Sequence, residues 1–394
     1  MTNRVYVMIF PIVLVLAALA PAQTFTVLYN FTGGSDGWGP YAGLIRDSAG
    51  DLYGSTSLGG DSNCTPGYGY GCGVVFKLDT AGTETVLHSF SGSPDGANPV
   101  APVVRDKAGN IYGTTFYGGS RGNGTVFKID TAGAEKVLYG FTGSSDGCYP
   151  WQGLVEDKSG SVFGTAGGCG SSGYGSIFKV DTSGKFTLLH SFTGRSSDGA
   201  YPTFGHLRMD KAGNLYGVTS GGGTSGNGVL YELSKSGTFK VLHSFAGGTS
   251  DGCAPSGSVL QDKAGTFYGT TEYCGSSNHG TIWQVSKTGK ETILHNFAGG
   301  SSDGCNPAAG VTRDSQGNLY GVTYGCGANR DGAVYELSAG GTLSLLYSLG
   351  GSDGSSAPIG EVLRTSKGTL FGTTLAPSPP CCENTYGTVW SYVP

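Results

Sequence analysis

The stretch GTVFKIDTAGAEKVLYGF, Gly124–Phe141, decides the fold. It holds two short runs rich in Val, Ile, Thr, Tyr and Phe, GTVFKI and KVLYGF, separated by a turn-forming DTAGAE. Such a pattern predicts two strands joined by a tight turn. Relatives of the first run begin at Gly73, Gly175, Gly228, Gly280, Gly332 and Gly387, and relatives of the second at Thr26, Thr85, Thr187, Lys240, Thr292 and Ser344. Two further phrases keep the same order. One resembles AGLIRD and ends at Asp47, Asp106, Asp157, Asp210, Asp262, Asp314 and Thr365; the other resembles LYGST and carries Gly54, Gly113, Gly164, Gly217, Gly269, Gly321 and Gly372.

Each phrase occurs seven times. Four strands in a unit of about 50 residues is the arithmetic of an all-β, seven-bladed β-propeller with four antiparallel strands per blade. A β-solenoid is the alternative, although it needs capping ends that the sequence does not show. The AGLIRD-like phrase, with small residues such as Ala42 and Gly43, suits the crowded axis and is taken as the inner strand. The chain then starts with a lone outer strand, Thr26–Phe31, and ends without one, so the N-terminal strand is expected to complete the last blade and remove two free sheet edges. This phase puts the outer-to-inner loops and the loops between second and third strands on one face, and the remaining tight turns on the other.

Composition agrees with a folded repeat. The 394 residues include 73 glycines, 22 tyrosines and 18 phenylalanines, and the glycine is organised by a period rather than spread as in a disordered chain. A net charge of −5 with scattered Lys and Arg offers no basic stripe for phosphates, so no nucleic-acid partner is expected. Residues 1–22 have Arg4 near the start, an apolar run from Val5 to Ala20, and small residues at Ala20 and Ala22. That order predicts a secretory signal cut after Ala22, with an uncleaved anchor as the alternative, and leaves 23–394 as one propeller domain without a membrane span.

The four phrases, in this order and at this period over the whole mature chain, resemble the GloVer tandem-repeat family of exported bacterial proteins with differing C-terminal anchors. The resemblance implies export but no activity that can be carried to named residues. This sequence stops at Pro394 without a sorting tail, so a released or periplasmic protein is expected.

Asp36, Asp95, Asp146, Asp198, Asp251, Asp303 and Asp353 recur in the outer-to-inner loops, mostly as SDG. A device present in every blade is explained by geometry that every blade needs: an Asx-type turn with the following Gly at positive φ and a Pro fixing the entry to the inner strand. The repeated G-x-S-x-G matches lack the helix of a nucleophile elbow. GGGTSG at Gly221 precedes a strand, so its dinucleotide reading fails. His88, His190, His243 and His295 share one outer-strand position with Tyr29, Tyr139 and Tyr347, which argues against a metal role. His206 and His279 break the repeat. His206 lies in a unit with one extra residue between Pro202 and Asp210, which predicts a bulge there.

Cys148 and Cys169, Cys253 and Cys274, and Cys305 and Cys326 occupy matching loop positions on one face, predicting three equivalent disulfides. The remaining cysteines lie in the two longest loops, for which Cys64–Cys72 and a vicinal Cys381–Cys382 are expected, with cross-linking between the loops or a zinc site as alternatives. No metal or cofactor is assigned. The aromatics Trp38, Tyr41, Tyr149, Trp151 and Tyr201 would suit a glycan, or could serve as packing at the inner-strand entry. The expected function is a monomeric, non-catalytic binding or scaffold module whose partner is a glycan or an extracellular protein. The alternative is a polysaccharide-active enzyme, for which the non-repeated acids Asp61, Glu272, Asp331 and Glu383 are the candidates.

Overall fold

Seven small antiparallel sheets succeed one another along the chain in the computed structural model, which describes residues 23–64, 70–202, 205–350, 357–375 and 386–394. Each blade runs inner, second, third, outer; blade 2, for example, is Val104–Arg105, Ile111–Thr115, Thr125–Ile129 and Glu135–Gly140. The seventh is Leu363–Arg364, Leu370–Thr374 and Thr388–Val393, and its outer strand is Thr24–Asn30 from the other end of the chain. The molecule is therefore a seven-bladed β-propeller closed by its N-terminal strand. The predicted signal, Asp353, and Cys381–Cys382 with Glu383 lie outside the described residues, as do two residues at the predicted bulge, 203–204.

The repeat glycines follow from packing between strands. The third-strand aromatics Phe76, Phe127, Phe178, Tyr231, Trp283, Tyr335 and Trp390 are fully buried and lie over the second-strand glycines. At Gly113 a Cβ would stand 2.5 Å from the Phe127 ring. Six of these rings also meet the phenylalanine that ends the outer strand of the preceding blade, as in Phe90–Phe127 at 5.1 Å and Phe245–Trp283 at 5.3 Å, both edge-on, while before Trp390 that position is Leu349. The core is thus a ring of aromatic edges linking blade to blade.

Seven residues before proline, Gly39, Asn98, Tyr149, Tyr201, Ala254, Asn306 and Ala357, take positive φ. Their N–H groups donate to a carbonyl of the preceding blade, as Tyr149 does to Asn123 at 3.0 Å and Asn306 to His279 at 2.8 Å. Left-handed backbone at a non-glycine residue is costly. Here the inter-blade hydrogen bond offsets it and delivers the chain to the axis. Most inner strands are only two residues long, because the backbone nearest the axis turns to its neighbour instead: Gly153 N–H donates to Gly205 O at 2.6 Å.

Candidate functional site

The repeated aspartates tie the end of each outer strand to the loop that follows. Asp146 accepts from Thr142 N–H at 2.7 Å, Thr142 Oγ1 at 2.6 Å and Tyr139 OH at 2.8 Å. Asp36 does the same with Thr32 and Tyr29, while Asp95, Asp198 and Asp303 face His88, His190 and His295 at 3.0–3.2 Å. Bonds from Thr142 and Tyr139 hold the Asp146 carboxyl below the usual range against the cost of its burial. The Asx turn needs correction in detail. Gly37, Gly96 and Gly147 take positive φ, but Gly199, Gly252 and Gly304 do not, because those three loops carry one more residue between the strand end and the aspartate. What all six glycines share is close approach to a second- or third-strand side chain, Thr115 at Gly96 and Thr219 at Gly199 for example.

The outer-strand rings also read the next blade. Tyr139 stacks on Phe186, His190 on Phe239 and Tyr347 on Phe25, with centroids 4.0–4.3 Å apart. At three other seams a glutamate takes the place of the aromatic: Glu84, Glu135 and Glu291. His243, Asp251 and Glu291 bring their donor atoms within 4.8 Å of one another, the one His and carboxylate cluster of metal-ligand spacing among the described residues. Its place in a repeated seam makes it part of the packing scheme.

Three residue positions differ most from blade to blade, and members of each line one cavity on the loop face. The first, nearest the axis, is Gly43, Pro102, Gly153, His206, Ser258, Gly310 and Glu361 in blades 1 to 7. The second, at the end of each second strand, is Ser57, Phe116, Gly167, Ser220, Glu272, Tyr324 and Leu375. The third follows the entry proline and includes Tyr41, Val100, Trp151, Ala308 and Ile359. Members of all three line a cavity of about 190 Å³ at the mouth of the axis, with Tyr41, Trp151, Tyr324, Glu272, Ser258 and Glu361 among its walls and glycines and alanines as its floor.

At the hub, His206 Nδ1 lies 2.8 Å from Ser258 Oγ, which also accepts the His206 backbone N–H at 3.0 Å. Glu361, from the blade opposite, brings Oε2 to 3.8 Å from the same Nδ1. A nucleophile relay engages opposite nitrogens of the ring. With serine and acid on one nitrogen, this group does not have that arrangement. Nearby, the Glu272 carboxylate, and partial burial second, push the Tyr273 phenol up to about 12. Tyr324 in the cavity wall is one of five exposed tyrosines among the described residues, with Tyr70, Tyr117, Tyr201 and Tyr273 in the loops of the same face, each 38–52% accessible.

Of the five aromatics expected from sequence, Tyr41 and Trp151 line the cavity. Tyr201 is exposed on the crown, 5.4 Å edge-on from Tyr174. Tyr149 lies against Phe116 at 5.0 Å. Trp38 is 8% exposed and wedged edge-on between Tyr70 and Tyr386, which places it in packing. Of the non-repeated acids, Glu272 reaches the cavity; Asp61 caps a local turn with Asn63, and Asp331 lends its carbonyl to Ala357 N–H. The His279 carbonyl serves the Asn306 seam bond in the same way. Sequence reasoning missed Ser258 and Glu361. Aligning the repeats at the residue after Ala42 would have found both, since glycine or proline stands there in four of the seven blades.

Disulfides join Cys64–Cys72, Cys148–Cys169, Cys253–Cys274 and Cys305–Cys326. Such bridges persist in oxidising compartments, which fits a chain folded outside the cytoplasm. No helix among the described residues is long and apolar enough to cross a membrane.

No curated protein matches the chain. Among solved structures it is similar to a candidate 6-phosphogluconolactonase from Bacteroides uniformis, at 16% identity over 77% of this chain and 82% of that one with a TM-score of 0.49. It is also similar to a luciferin-regenerating enzyme, at 11% identity over 94% and 95% of the two chains with a TM-score of 0.46. A candidate gluconolactonase aligns at 12% identity over 83% and 93%, with a TM-score of 0.42. None of these lends its chemistry to this chain. The repeat itself does match a family model, that of the Gloeobacter/Verrucomicrobia repeat, over residues 64–283 and 254–394, and the chain belongs to that family.

Proposed function

We propose that this protein is an exported, monomeric binding module that takes up a glycan on its loop face, with the terminal sugar seated in the axial cavity. One observation carries the reading. The positions that every blade shares are consumed by turns, seams and core, whereas the positions that differ from blade to blade converge on one cavity. A concave, mostly apolar site with a few convergent polar groups is the ordinary form of a small-ligand pocket. The tyrosine crown around it supplies flat rings with a polar tip, suited to lie against pyranose faces while the hydroxyls stay wet.

Glu272 and Glu361 share the cavity, and that pairing favours polysaccharide hydrolysis as a second reading. The two are separated by one set of measurements. A glycan array followed by calorimetry on the hits should give binding without products, and Tyr41→Ala and Trp151→Ala should each weaken it about tenfold or more, as loss of an aromatic anchor does. Product release that vanishes in Glu361→Gln would establish the enzyme instead, and absence of any glycan ligand would end both readings.

A further inference from the structure

The charge of the axial cavity narrows the ligand further than its shape does. Among the described residues its wall carries two carboxylates, Glu272 from blade 5 and Glu361 from blade 7, and no lysine or arginine. Three aromatic rings, Tyr41, Trp151 and Tyr324, complete the wall. Aromatic faces attract cations through the ring quadrupole, and carboxylates do so by charge, so both classes of wall group select the same sign of ligand. The chain as a whole carries a net charge of −5, which draws a cationic polymer to the surface before it docks.

We infer that the sugar seated in the axial cavity is an amino sugar with a free, protonated amine, as in a deacetylated amino-sugar polymer; this rests on the glycan reading above. The cavity of about 190 Å³ is of the order of one pyranose ring, so a single residue enters and the crown of tyrosines holds its neighbours. The ammonium is directed to Glu272 and Glu361, while the apolar face of the ring lies on Trp151 and Tyr41. An N-acetyl group at the same place would bring no charge to the two carboxylates as water is expelled, and this is how the site discriminates. A lysine side chain offers the same ammonium on a flexible stem but no ring for the aromatic wall.

The test is calorimetry of the purified protein at about pH 6, well below an ordinary amine pKa. The probes are the tetramers of glucosamine, N-acetylglucosamine and glucose, together with a lysine-rich peptide. The glucosamine tetramer should bind at least about tenfold more tightly than the other three, and Glu272→Gln and Glu361→Gln should each remove about tenfold of that preference, the worth of a hydrogen bond to a charged group. Asp61→Asn, an acid of the same face outside the cavity, should leave binding unchanged, and melting curves confirm that each variant is folded. Equal affinity for the three tetramers, unaltered in the two glutamine variants, overturns the amino-sugar assignment and leaves the glycan reading standing. Preference for the peptide overturns the assignment in favour of a protein ligand. If none of the four binds, the amino-sugar assignment falls, and the glycan array decides whether the glycan reading falls with it.

Discussion

Glu84 stands where the outer strand of blade 1 meets that of blade 7, with Asp36 and the Tyr29 ring beside it. Its Oε1 is buried without a hydrogen-bond partner. Burial first, and the Asp36 charge second, push the carboxyl from about 4.5 up to about 7. The folded chain therefore holds a proton that the unfolded chain releases. By linkage the stabilisation is complete below the unfolded value and is lost as pH rises through the folded one, from about 4.5 to about 7. Glu84→Gln keeps the neutral shape at every pH. It should melt with the parent at about pH 4 and above it at about pH 8, and parallel melting curves across that range would show that the seam does not titrate. None of this could be read from the sequence. There Glu84 is an unremarked residue at a strand start, because the groups that shift it come from another blade. Asp146 is the opposite case. Its recurrence in every unit marked it as structural before any coordinates, and Gly147 beside it takes the expected positive φ, although the sequence misjudged what the glycines after Asp198, Asp251 and Asp303 are for, since strand-to-loop clearance leaves no local signature.

Among the elements, the paired cysteine loops are the clearest instance of structure legible from spacing. Cys148–Cys169, Cys253–Cys274 and Cys305–Cys326 each close the same separation of 21 residues. Each joins an outer-to-inner loop to the loop at the end of the second strand of its own blade. Because the closed loops are equal in length, chain entropy assigns each bridge the same worth, about 3 kcal/mol. Replacing both cysteines of a pair with alanine should lower the unfolding free energy in denaturant by similar amounts in the three blades. A much larger effect at one blade would mean that this bridge also holds local structure the others do not need. The inner strands were harder to read. Their phrase repeats as plainly as the others, yet most shrink to two residues, since the crowding of seven chains at one axis is a property of the ring and not of any unit. The same crowding brings His206, Ser258 and Glu361 together from blades 4, 5 and 7.

For the whole molecule, sevenfold repetition separates fold from function: what every blade carries builds the ring, and what single blades carry lines its mouth. The ring must also close. Thr24–Asn30 pairs with Thr388–Val393 in antiparallel register, Thr24 opposite Val393 and Asn30 opposite Thr388. The same strand brings Phe25 onto Tyr347 of blade 6 at 4.0 Å and is followed by Phe31, which meets Phe76 of blade 1 at 5.1 Å. One strand thus completes a sheet and joins its two neighbours. A chain lacking residues 1–31 exposes the edge of Thr388–Val393 and removes both aromatic contacts. Unpaired edges recruit other chains, so the truncated protein should melt lower and less sharply and should self-associate in sedimentation. Adding a synthetic peptide of residues 23–31 should restore the melting temperature in proportion to its concentration, as mass action requires of a ligand that binds only the folded state. A truncated chain that melts with the parent would show that the ring does not depend on this strand for closure.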